Sequence, residues 1–211
     1  MQGEKPMLTR KLLEAAMRKG MADHPELHEK WVKVQYRFAA LAGGNAAVLL
    51  PFAMNTRVDM LLRTLEAENL QRPADDAAPD IEFADDLILS LSESWVSRCY
   101  ELVRVARDGV KARNEEVPEK LAHLLYQLEL VRMPIDKGEI NKAIYHKGEP
   151  IMLGLADGSD PKEYRKGSFV LQRGMCGQTG AAMWWPVDLK AQKTVEVCRR
   201  DLSDWLLGLF D

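Results

Sequence analysis

Residues 84–113 read ADDLILSLSESWVSRCYELVRVARDGVKAR, and the fold turns on how this stretch is read. Leu87, Leu91, Trp95, Cys99, Leu102 and Ala106 recur at intervals of three and four, which lines them up on one face of a helix and on no face of a strand. A long helix with a single apolar stripe needs a surface to bury it, and the next stretch offers one. Pro118 suits a first helical position, and Leu121, Leu124, Leu125, Leu128 and Val131 continue the helical spacing. The short link between the two stripes predicts antiparallel neighbours. Around Met133-Pro134 the chain is expected to turn, with a weak helical turn in IDKGEINKAIYH.

Toward the N-terminus the same period repeats. Thr9 is a candidate cap for a first helix with Leu12, Leu13, Ala16 and Met17 on one face and Gly20 as its stop. Pro25 opens a second helix carrying Trp31, Val34, Phe38 and Leu41. A third carries Val58, Leu61, Leu62 and Leu65, with Asn55 or Thr56 as its cap and a kink at Pro51. Residues 71–86, QRPADDAAPDIEFADD, hold six acids against Arg72. Like charges and two prolines predict a solvated acidic loop over about 71–82.

After Lys147 the period shortens. EPIMLGL and SFVLQR have strand character, with the turn ADGSDP between them. In AAMWWPVDL an alternation of two places Met183, Trp185, Val187 and Leu189 on one face, and Val195 and Val197 of TVEVC match it. KAQK suits a hairpin connection, and DLSDWLLGLF closes the chain as a short helix capped by Asp201 or Ser203. The expected fold is mainly α. A helical bundle over residues 1–147 is followed by a small antiparallel β-hairpin or sheet and a terminal helix over 148–211, the two parts packed as one domain.

Composition narrows the function classes. With 46% hydrophobic and 29% charged residues in 211, the chain has the makings of a globular core. A net charge of −3 supplies no global attraction to nucleic acid or to an anionic membrane. The longest weakly polar run, Phe38 to Met54, falls short of the roughly 20 residues a bilayer-spanning helix needs and is broken by Gly43, Gly44, Asn45 and Pro51. Cys99, Cys176 and Cys198 lack metal-site spacing, and the first residues lack a signal-peptide pattern, so a reducing cytoplasm is the expected compartment.

The motifs that look chemical are weak. GMCGQTG (174–180) has five residues between its outer glycines and no following Lys-Ser/Thr, so it does not form a phosphate loop. Cys176 has no histidine close in sequence to activate it. His24 and His28 are four apart, but Pro25 breaks the helical geometry a metal would need. Arg18 and His24, with five residues between them, fit the Arg-then-His spacing of metal-independent ribonucleases of the HEPN type. That spacing arises about once by chance in a chain with so many arginines, and the helical architecture resembles that family only loosely. Arg132, at the end of a core helix, has Gly138 where the histidine would stand.

Four residues remain as binding candidates: Arg98 within the long helix, Arg132, and the pair Trp184-Trp185, whose rings must point to opposite faces of a strand. The expectation is a cytoplasmic, non-catalytic interaction or regulatory protein, without cofactor or metal, and forming a homodimer through a helical face or the tryptophan region. A HEPN-like ribonuclease of a defence or toxin system is the enzymatic alternative, and a small-ligand-binding helical protein the third.

Overall fold

At the centre of the molecule lies a helix that the sequence disguises. In the computed structural model, which describes residues 8–71, 83–153 and 160–211, α3 (Leu49–Leu70) is packed on by α1 (Leu8–Asp23), α2 (Pro25–Leu41) and α4 (Phe83–Ala112). Contact from several sides explains its weak apolar stripe: Phe52, Met60 and Leu62 are buried, and so are Asn55, Asp59, Arg63 and Glu66. The long helix α4 pairs with α5 (Glu119–Lys137) as the spacing predicts, and every apolar position named for α5 is buried. Trp31, Val34 and Phe38 of α2 and Trp95, Cys99, Leu102 and Ala106 of α4 join them in one core.

Four helix boundaries differ from expectation. Gly20 does not stop α1 but sits inside it, where a side chain would come within 2.9 Å of the Leu61 backbone; glycine is there for close approach to α3. Pro25 ends α1 instead, by forcing His24 out of helical geometry. α3 begins at Leu49 with Pro51 in its first turn, where a missing N–H costs nothing. Asn55 is therefore no cap; its Nδ2 donates to the Trp95 carbonyl (3.3 Å) and toward Cys99 Sγ (2.9 Å) inside the core. α5 runs through Pro134 to Lys137 and stops at Gly138, which takes the left-handed φ of 63° that glycine tolerates. Lastly, α6 (Arg199–Leu207) starts directly after a strand, with Asp201 in its first turn and Ser203 within it.

The expected turn over 156–161 falls mostly outside the described residues. β1 (Met152–Leu153) and β2 (Lys162–Glu163) pair antiparallel on either side of that stretch. β3 (Arg173–Met175), β4 (Ala182–Trp184) and β7 (Val197–Cys198) form a three-stranded sheet, and β5 (Val187–Asp188) pairs with β6 (Lys193–Thr194). Residues 182–198 thus make one antiparallel hairpin in a single register, bridged across Pro186 by the bond from Val195 N to the Pro186 carbonyl.

Its faces are inverted relative to the sequence reading. Ala182 and Trp184 are fully buried, whereas Met183 and Trp185 are half-buried. Both faces carry a tryptophan, so alternation alone could not choose between them. Packing chose the face whose other member is alanine, because small Ala182 lets the strand lie close on α4. The register Trp184↔Val197 puts Val197 on Trp184's face, not on Trp185's.

Candidate functional site

Three places combine chemistry-bearing residues with a defined geometry. The first joins α3 to the start of α6. Asp59 is completely buried and accepts four bonds: from Arg199 (2.5 Å), Ser203 (2.7 Å), the Trp31 indole (3.0 Å) and Arg63 (3.0 Å). Glu66, equally buried, accepts from Arg199 (2.6 Å) and from two nitrogens of Arg200 (3.0 and 2.5 Å). Arg63 continues outward to Asp204 (2.5 Å), and the Arg199 guanidinium also lies over the Trp95 ring, 5.6 Å from its centre. Burial works against the charge on Asp59, but Arg199 and then Arg63 outweigh it and hold its carboxyl below the usual range.

This junction looks like an active site and behaves as a closed staple. Three carboxylates (Asp59, Glu66, Asp204) face three guanidiniums (Arg63, Arg199, Arg200), so no net charge is left over to attract a ligand. Asp59, Glu66, Arg199 and Ser203 have no exposed surface. Beside its outer edge His24 Nε2 lies 3.4 Å from the Thr64 hydroxyl, and burial, with Arg63 nearby, lowers its pKa. An arginine and a histidine thus come together here, but Arg63 is already committed to carboxylates. The sequence reading weighed His24 in other pairings and named Ser203 only as a cap, but did not single out Asp59, Arg63, Glu66, Arg199, Arg200 or Asp204. The one available signal was the spacing of Asn55, Asp59, Arg63 and Glu66, a polar stripe running down a helix that also carries apolar residues.

The second place holds Arg98 and Arg132. Both line a groove of about 480 Å³ between the start of α3 and helices α4 and α5, with Val48, Pro51, Leu102 and Val105 as its apolar wall. Arg132 pairs with Asp136 (2.7 Å), lies 3.7 Å from Glu101 and caps the Tyr100 ring at 4.9 Å. Exposed Arg98 has no ion-pair partner among the described residues. No histidine lines this groove.

The third place is a cleft of about 720 Å³ in the C-terminal part. Trp185, Val187 and Leu189 form one wall, Ile151, Met152 and Val170 another. The Trp185 ring packs against Gly174, where a Cβ would approach it to 2.9 Å, and its indole N–H reaches Glu196 at 3.4 Å. Trp184, by contrast, is wholly in the core and is not available to a ligand. The glycine-rich stretch now has its explanation: Gly174 makes room for Trp185, and Gly180, at a φ of 67°, abuts the Glu66 carbonyl so closely that a side chain would overlap it. Between them a tight turn is closed by Gly180 N to the Cys176 carbonyl (2.7 Å) and Cys176 N to the Ala181 carbonyl (2.8 Å). The Thr179 hydroxyl draws the half-buried Cys176 thiol below its ordinary range, whereas burial pushes the Cys99 thiol well up.

Among the described residues no group of His, Cys, Asp and Glu is arranged to hold a metal, and no helix is long and apolar enough to cross a membrane. No known family model matches the chain, and no curated protein or solved structure is significantly similar to it.

Proposed function

We propose that this chain is a non-catalytic interaction protein that self-associates through a helical face and docks a partner segment in the Trp185 cleft. The observation that carries the reading is the character of that cleft. It is open, the larger part of its exposed wall is apolar, and two of the large apolar side chains that line it stand in water, Val170 78% and Met152 55% exposed. A small-molecule site ordinarily encloses most of its ligand and hides its apolar atoms. An apolar rim of this kind is what a protein partner covers. The charged residues buried at the α3–α6 junction, meanwhile, neutralise one another and leave no free charge there for a substrate.

Panning a random-peptide library against the wild-type chain, with Trp185→Ala as the counter-selection, tests the reading. Enrichment of a peptide that binds wild type and not the variant supports it. Enrichment of none, or a shift in melting temperature caused by small metabolites alone, favours a small-ligand binder. The ribonuclease alternative draws support only from His24 beside Arg63, and metal-free cleavage of RNA abolished by His24→Ala would revive it.

A further inference from the structure

We infer that the first two turns of α1 dock on the α3–α4 end of a second copy of this chain, and that the second copy's α1 docks on the first in the same way. This rests on the self-association reading above and names its surface. Residues 8–15 are exposed on every side, with Leu8 and Leu12 each 61% and Leu13 63% exposed. These residues prolong a helix that is anchored on α3 from Gly20 onward, and among the described residues nothing covers their three leucines. Leucines grouped in this way form an apolar patch of the kind a protein partner covers.

That surface lies at the same end of the molecule. α1 and α3 are antiparallel, since Asp23 meets Thr64 while Lys19 meets Glu68. Residues before Lys19 thus point past Leu70. α3 and α4 are also antiparallel, with Pro51 near Leu102 and Asn55 against Trp95. Leu70, Phe83 and Leu87 accordingly share this end, and all three are exposed, Phe83 by 74%.

Charge decides which pairing is favoured. α1 carries Arg10, Lys11, Arg18 and Lys19 against Glu14 over residues 8–19, while α4 opens with Asp85 and Asp86. Laying one α1 on another would oppose two basic helices. Laying α1 on the start of the partner's α4 joins opposite charges, and a two-fold axis makes the contact twice, closing the assembly. Six large apolar side chains per chain, each about half to three-quarters exposed, offer at most roughly 600 Å² per chain and about 1,200 Å² in all, the lower end of a specific interface.

Sedimentation equilibrium on four species tests this. Wild type should approach twice the 23.9 kDa chain mass at concentrations up to about 100 µM. Leu12→Glu with Leu13→Glu should weaken the dimer about thirtyfold or more and keep the melting temperature of the monomer. A chain with Lys11→Glu and Arg18→Glu should be monomeric alone, and so should one with Asp85→Lys and Asp86→Lys. Mixed, these two should form a one-to-one heterodimer, because both reciprocal contacts are then restored. A wild-type monomer overturns self-association and leaves the cleft reading standing. A dimer indifferent to the leucine changes, or an Asp85/Asp86 variant that still dimerises alone, overturns this surface while sparing self-association. Four monomeric species would mean that α1 is covered within its own chain.

Discussion

The α3–α6 junction and the Trp185 cleft are both built around residues that invite a functional reading, yet they are opposites. At the junction, six charges are drawn together until none is left over, and Asp59, Glu66 and Arg199 at its centre are shut off from water. At the cleft, few charges are present and apolar side chains are left in water. Burying an ion pair gains little by itself, because desolvation offsets the attraction; what it adds is penalty for any arrangement in which a partner is missing. The junction therefore reads as a device for holding α6 and the adjoining sheet in one position on α3. The cleft, whose exposure gives the isolated chain nothing, reads as a surface kept for another molecule.

The largest effect should come from breaking the junction. Arg199→Met leaves Asp59 and Glu66 buried without their shared cation and should cost about 3–5 kcal/mol, seen as a fall in the urea midpoint. An intact midpoint would mean that the network is dispensable. Gly180→Ala comes next, at about 1–3 kcal/mol, because the new Cβ meets the Glu66 carbonyl and the left-handed φ is strained for alanine.

Acid titration follows, and both groups act in one direction. Asp59 has a folded pKa below its unfolded value of about 3.9, so its contribution is complete above that pH and is lost as pH falls through the folded value. His24 has a folded pKa below about 6.5, so protonating it also favours the unfolded chain as pH drops. Urea midpoints should decline slightly between about pH 7 and 5 and steeply below about pH 4. His24→Gln should remove the first decline and leave the second.

How much of this was legible in the sequence depended on how many sides of each element are covered. α4 and α5 bury one face, so Trp95, Cys99, Leu121 and Leu128 announced themselves by period alone. α3 is covered from several sides, and periodicity fails when both apolar and polar residues are inside; nothing in the spacing separates Asp59 and Glu66 from charges that face solvent. Their partners Arg199 and Arg200 lie more than 130 residues away, and no local spacing encodes that meeting. Gly20 was misread because a glycine needed for close packing and one that ends a helix look identical in a string of letters. Trp184 and Trp185 were recognised as pointing apart, but the choice of inner ring rested on Ala182 and on the Trp184↔Val197 register, which only the assembled sheet defines.

The smallest effect marks the other side of the comparison. Arg98→Ala should change stability by no more than about 0.5 kcal/mol, since the side chain is exposed and has no ion-pair partner among the described residues. It should also leave partner binding unchanged if the cleft is where binding occurs. A loss of binding in this variant would move attention to the groove between α3, α4 and α5.

The most direct test of the cleft follows the fluorescence of Trp185 as a peptide selected by panning is added. Trp31, Trp95 and Trp184 are already buried, and Trp205, 44% exposed, is common to both proteins, so the difference in emission between wild type and Trp185→Phe isolates the half-buried ring at the cleft wall. The account predicts a saturable blue shift as the peptide covers that ring, absent in Trp185→Phe and retained in Arg98→Ala. A peptide that binds while the Trp185 emission stays where it was would contradict the account.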